Sequence, residues 1–236
     1  MDMNKKITLR RQKGFSLLEL LLVVLLLTIV VGALFSQIER AQVRYKVEDQ
    51  KLDLTQQERE FIDQFTRDLH QAGYPSVTVL GNQYNLNSQY TAAGVWYISD
   101  TEIHMEGDVD GDGVVKSVVY TYFDGSGWTG PGPNPCPCLR RSSVAKQDNV
   151  APSAQAAGTA YTQVEKIVPV AGQPVFTAYN ASGGLVSINP AVTDAATLKT
   201  IKSVGINLTT QGMTKDNDAQ KTLQVTMTGM ARLVNN

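Results

Sequence analysis

The sequence is poor in the groups that most often carry chemistry. It holds two cysteines, Cys136 and Cys138, and two histidines, His70 and His104. The histidines are far apart and nothing shows a usual metal-ligand spacing, which argues against a zinc site and against thiol catalysis. No long block of like charge occurs and the net charge is −1, so the electrostatic basis for nucleic acid as a primary ligand is missing. No nucleophile with a nearby base, no phosphate loop and no paired acids in a pocket-like sequence can be picked out. The stretch Asp124-Gly125-Ser126-Gly127-Trp128 sets a serine between glycines, but without the strand-to-helix elbow that a hydrolase serine requires. It reads as a turn, and the chain is expected not to be an enzyme, with no certain cofactor.

What the sequence does have is one long apolar run behind a basic start. Residues 1–14 hold Lys5, Lys6, Arg10, Arg11 and Lys13 against a single acid, Asp2. From Phe15 to Phe35 runs a stretch of roughly 21 residues, which at about 1.5 Å each spans a bilayer core. The charge asymmetry keeps the N-terminus cytoplasmic and sends the remainder across the membrane. No small-residue cleavage site follows, and the helical pattern runs on, so the segment is expected to be retained in the inner membrane. Inside it stands one carboxylate, Glu19, which hydrocarbon disfavours unless it finds a partner. With 42% apolar residues over 236 positions, the remainder suffices for one anchored globular domain.

The order Lys13-Gly14-Phe15-Ser16-Leu17-Leu18-Glu19 resembles the cleavage site of class III signal sequences, found in type IV pilins and type II secretion pseudopilins. The resemblance implies that a membrane prepilin peptidase cuts between Gly14 and Phe15, and that the exposed Phe15 is N-methylated. It further implies that Glu19 neutralises the N-terminal amine of a neighbouring subunit during filament assembly, which would remove much of the burial penalty and fix register. The simpler alternative is a membrane anchor whose Glu19 is tolerated near the interface or protonated. Many major pilins carry a helix-bending proline where this chain has Ser36. No proline-directed kink is expected, and the departure points toward a minor subunit.

Beyond Phe35 the pattern turns amphipathic, with Leu54, Phe61, Phe65 and Leu69 near one face and Arg44/Glu48, Arg59/Asp63 and Asp63/Arg67 at i,i+4 on the other. One helix is expected to reach about Ala72, roughly 85 Å at the same rise, and to stop at Gly73, Tyr74 and Pro75. Short β-type runs then follow at 77–80, 95–98, 114–123, 164–170, 175–179, 185–188, 201–208 and 223–233. The last two are expected to pair as a hairpin across the polar loop at 216–218, with Leu223, Val225, Met227, Gly229 and Ala231 on one side. The fold class is therefore α+β: a long N-terminal helix, transmembrane then stalk, packed on a mostly antiparallel β head. The expected divisions are a leader at 1–14, a transmembrane helix at 15–36, a stalk at 37–73 and a head at 74–236 with a long loop at 124–162.

A second resemblance rests on short fragments spread over the chain: Arg67-Asp68-Leu69-His70-Gln71-Ala72-Gly73-Tyr74, Val118-Val119-Tyr120-Thr121-Tyr122, Leu139-Arg140-Arg141, Val175-Phe176-Thr177-Ala178-Tyr179 and Val204-Gly205-Ile206-Asn207-Leu208. They resemble PilW-type minor pilins and the J-type pseudopilins of type II secretion. This implies a minor pilin that primes pilus assembly or sits at the tip, with other minor pilins, the major pilin and the prepilin peptidase as partners. It would stand in the inner membrane before assembly and in the filament afterwards. A J-type pseudopilin uses the same chemistry, and an adhesive or DNA-uptake tip subunit remains a separate reading, hinted at by Trp128, Arg140 and Arg141.

Two local patterns remain open. Asp108-Val109-Asp110-Gly111-Asp112-Gly113 sets three carboxylates at alternate positions around a glycine-permitted turn, as the first half of a calcium loop does. The twelfth position, where a bidentate acid belongs, is Val119, so either a further ligand such as Glu106 or Asp124 contributes or the motif is a solvated acidic turn. Cys136 and Cys138 lie in a Gly/Pro-dense stretch, 125–137, in an oxidising compartment. They either bond to each other or stand as a pair able to bridge a partner. The run 142–162, rich in Ala, Ser and Gln, is expected to be exposed and mobile.

Overall fold

The computed structural model describes residues 14, 16–81, 84–128, 134, 136–215 and 222–235. The chain divides into two units, Met1–Lys46 and Val47–Asn236. The first helix, α1 (Leu17–Gln71), begins in one unit and ends in the other. It contains no proline and, through the apolar run, only Gly32 as a weak helix former, so nothing bends or stops it. The Ser16 carbonyl accepts from the Glu19 and Leu20 amides to open it. Within the first unit the side chains from Leu17 to Phe35 are exposed on every side, the pattern of a helix whose surroundings are apolar. Its hydroxyls answer to the helix itself: Thr28 donates to the Leu25 carbonyl and Ser36 to that of Ala33, both at 2.8 Å. The helix is long and apolar enough to cross a membrane.

In the second unit α1 turns one face inward, burying Glu58, Phe61, Phe65, Asp68 and Leu69. The spacing of three and four residues is what a 3.6-residue period dictates. Its end is fixed by close approach. Gly73 has φ +81° and donates its amide to the Glu106 carbonyl at 2.8 Å. Gly107, opposite Ala72, lets the two backbones touch, since a Cβ there would stand 2.5 Å from the Gln71 carbonyl oxygen.

After α1 comes a single helical turn, α2 (Val77–Leu80), where the sequence suggested a strand. Ser76 decides it, its hydroxyl accepting from the Val79 amide as an N-cap and overriding the weak β preference of so short a run. Five antiparallel strands then form a meander in the order β1-β2-β3-β4-β5: β1 (Gly94–Ile98), β2 (Glu102–Gly107), β3 (Lys116–Phe123), β4 (Cys138–Ala145) and β5 (Tyr161–Val164). A second antiparallel sheet, ordered β7-β6-β8-β9, comprises β6 (Phe176–Asn180), β7 (Leu185–Val186), β8 (Ile201–Lys215) and β9 (Thr222–Arg232), with α3 (Ala195–Thr200) leading into β8. Segment 166–168, which follows β5, pairs with β8 through Val168 N–H to the Thr209 carbonyl (2.7 Å) and Gln211 N–H to that of Lys166 (3.0 Å), while Ile167 N–H donates to the Pro137 carbonyl just before β4 (2.8 Å).

The core sits under α1 and draws on both sheets. The Phe61 and Phe65 rings meet Tyr120 of β3 edge-on at 5.7 and 5.2 Å, and Phe65 stacks on Phe176 of β6 at 5.8 Å. The expected β8–β9 hairpin is present, with Ile206 opposite Gly229 and Leu208 opposite Met227. The side of β9 carrying Leu223, Val225, Met227, Gly229 and Ala231 is the more buried one, while the connecting residues 216–221 lie outside the described residues.

Three strands, β2, β4 and β5, were not legible in sequence. β2 carries Ile103 and Met105 inward, alternating with Glu102 and His104, too short and too charged a run to stand out. β4 falls inside the expected 124–162 loop, and residues 142–145 form strand rather than a mobile excursion. Its buried residues are Cys138, Leu139 and Ser142, drawn from both faces, so composition understated it. β5 (Tyr161–Val164) shares only Val164 with the strand expected at 164–170 and otherwise falls in the expected loop, while Ile167 and Val170 make only isolated bridges.

Candidate functional site

The N-terminal motif enters the described residues at Gly14, which is exposed. Phe15, the expected N-methylated residue, lies outside the described residues. Glu19 stands in the first turn of α1, exposed, and no described residue bonds its carboxylate. A carboxylate near a helix N-terminus is favoured by the helix dipole, yet in hydrocarbon its charge demands an external cation.

In the head, the sequence-flagged residues separate into those that meet and those that do not. Asp68 of α1, Tyr120 of β3 and Arg141 of β4 converge beneath the helix. The Tyr120 hydroxyl donates to Asp68 Oδ2 at 2.6 Å and Arg141 Nε donates to the same oxygen at 2.8 Å. Burial pushes the Asp68 carboxyl above its ordinary range, with the Arg141 charge pulling the other way. Burial and the Asp68 charge together hold the Tyr120 phenol well above its usual value. Each of the three lies in one of the quoted fragments, but only the fold brings them together. Arg140 instead lies over the Phe123 and Trp128 rings, at 5.3 and 5.9 Å. Both arginines and the tryptophan are thus engaged within the head.

Two further acids are buried: Glu58, which carried no sequence signal, and Glu106, which the sequence offered only as a further ligand for the acidic turn. Glu106 and Lys146 are both fully buried and bonded at 2.6 Å, and the Lys146 ammonium also donates to the carbonyls of Leu86 and Thr91. All three of its protons are used, tying the 84–93 segment to the first sheet. Glu58 has only the Thr210 hydroxyl, at 2.8 Å, and its Oε2 has no partner. Desolvation raises the pKa of Glu58 and also that of Glu106, where Lys146 opposes the rise.

The acidic turn gathers as expected. One carboxylate oxygen from each of Asp108, Asp110 and Asp112 lies within 4.8 Å of the others. Asp108 Oδ2 accepts from the Gly113 amide at 3.0 Å and Asp112 Oδ1 from that of Val114 at 2.9 Å. Lys116 reaches in from β3 to Asp110 and, at 3.1 Å, to Asp112. Glu106, considered above as a further ligand, is committed to Lys146. Asp124 instead closes its own turn, accepting from the Ser126 amide and hydroxyl. Cys136 and Cys138 lie within bonding distance as a disulfide that spans two residues of chain.

A family model described as the prokaryotic N-terminal methylation motif matches residues 9–35. That motif is the class III signal of type IV pilins, and it indicates the pilin and pseudopilin class of protein. It implies processing by a prepilin peptidase and assembly with other pilin-like subunits. The match ends at Phe35 and does not extend into the head. The chain matches no curated protein and no solved structure.

Proposed function

We infer that the chain is a minor type IV pilin of the PilW kind, whose work is assembly of the filament rather than catalysis. The observation that carries this reading is the methylation motif running into the apolar first part of α1, residues 17–35, which is exposed on every side and holds a single carboxylate, Glu19. The precursor stands in the inner membrane with its N-terminus cytoplasmic. Hydrolysis of the Gly14–Phe15 peptide bond frees the Phe15 amine, which is then N-methylated and remains cationic. In the growing filament that amine meets Glu19 of a neighbouring subunit. Pairing removes the cost of an isolated charge in an apolar shaft, and because only one register brings the two together it also sets the axial step. The head, with its own core, supplies the contacts to other minor subunits and places this one in the priming or tip complex.

The experiment is intact mass and N-terminal sequencing of membrane-extracted protein from cells with and without the prepilin peptidase, alongside Gly14→Ala and Glu19→Ala. The reading expects a chain beginning at methylated Phe15 only when the peptidase is present, blocked processing in Gly14→Ala, and a processed Glu19→Ala chain that fails to enter sheared filaments. A leader retained in both strains would sink it. Recovery of the wild-type subunit with a secretion machinery instead of a pilus would move the assignment to a J-type pseudopilin.

A further inference from the structure

We propose that the turn between β2 and β3 is a calcium site, held by Asp108, Asp110 and Asp112, which locks the head where α1 ends. This inference does not depend on the assembly reading.

The gathering of three carboxylates would not by itself call for an ion. The second observation is Asp108. Its side chain is nearly removed from solvent, the residue being 8% exposed, and its Oδ1 is buried with no hydrogen-bond partner. An anionic oxygen left unpaired away from water is among the costlier features a fold can retain. Lys116 does not relieve it, because that ammonium bonds Asp110 and Asp112, not Asp108. A divalent cation among the three carboxylates supplies the partner that Asp108 lacks.

The donor set is all oxygen and suits a hard ion. Asp110 and Asp112 have side chains about half exposed, 50% and 48%, so water can fill the remaining positions of a six- to eight-coordinate shell. The open side and the uneven donors favour calcium over magnesium, which demands a near-ideal octahedron. No bidentate acid closes the shell, since Val119 pairs with His104 and Ser142 inside the sheet. The affinity therefore belongs to the weak extracellular class, with Kd about 0.1–1 mM.

The position gives the ion leverage. Just before the turn, the Glu106 carbonyl accepts from Gly73 and the Asp108 amide donates to the Tyr74 carbonyl at 2.9 Å. Asp110 also lines a cavity with Gln64, Arg67, Asp68 and Arg141. Fixing the turn fixes the strand that grips the last residues of the helix.

The test is isothermal titration calorimetry and thermal melting of the full-length protein in detergent micelles, stripped with chelator and titrated with calcium chloride or magnesium chloride. The expected result is one saturable calcium site with a rise in Tm. Asp112→Asn, at an exposed position that folding tolerates, loses at least about tenfold in affinity because ligand charge sets calcium affinity. Lys116→Gln binds at least as tightly as wild type, since a competing ammonium has gone. No saturable heat, or unchanged affinity in Asp112→Asn, overturns the proposal, and equal response to magnesium overturns the choice of ion. If Lys116→Gln lowers Tm and calcium does not restore it, lysine is the resident cation and the proposal fails.

Discussion

Glu58 carries an unmet demand at the helix–sheet junction, because it is fully buried with one oxygen bonded to Thr210 and the other to nothing. Its pKa is raised by burial. Below the ordinary glutamate range both folded and unfolded states hold the proton and stability is unaffected. As pH rises past that range the unfolded state ionises first, so stability falls until the folded carboxyl also titrates. Glu58→Gln, which mimics the protonated form, is expected to leave stability at pH 5 near wild type and raise it at pH 8, read by chemical denaturation at both values. Asp68 is the opposite kind of residue, a buried acid given a cation. Arg141→Met removes that cation and is expected to cost about 3–5 kcal/mol, whereas Tyr120→Phe removes one neutral donor and costs about 1–2 kcal/mol. Without Arg141 the Asp68 pKa rises further, so the Arg141→Met defect should be smaller at pH 5 than at pH 8. An equal loss at both would contradict this account.

At the scale of elements, the joint between α1 and β2 depends on two glycines for different reasons. Gly73 adopts a left-handed φ that other residues resist, while Gly107 leaves room for the Gln71 carbonyl. A Cβ at Gly107 meets backbone, which cannot turn aside as a flexible side chain would. Gly107→Ala is accordingly expected to destabilise the head by about 1–3 kcal/mol, the range for overpacking, with faster amide exchange at Gly73, whose proton is held by the Glu106 carbonyl. Gly111→Ala, a left-handed glycine with open space around it, serves as the control for backbone strain without collision. The elements also differed in how plainly the sequence showed them. α1 was legible because its period persists over many turns and its stop is chemical, Gly73 then Pro75. β9 was legible because it alternates over a long run. β4 was not, since its buried positions are filled partly by Cys138 and Ser142, and the Lys146 that follows it reads as surface until Glu106 appears beside it. The turn at α2 was decided by one capping hydroxyl, a signal too local for a count of β-branched residues to detect.

For the molecule as a whole, every hydrophobic core residue among the described residues lies between Phe61 and Leu233, inside the second unit. A chain lacking residues 1–46 keeps that core entire, along with the helical face from Glu58 to Leu69. It is expected to fold cooperatively without detergent and to melt within a few degrees of the full-length protein in micelles, checked by circular dichroism. A non-cooperative melt would mean that the first part of α1 stabilises the head. The sequence by itself determined the anchoring helix, the place of Glu19 within it, the α+β class and the acidic turn. These are properties of neighbours along the chain: charge asymmetry, period, and ligands a residue apart. Only the tertiary structure decided that Asp68, Tyr120 and Arg141 form one network, that Lys146 and Glu106 are a buried pair, and that Asp108 is left with an unbonded oxygen. Burial and the meeting of distant side chains depend on what lies opposite in space, and no local pattern encodes that.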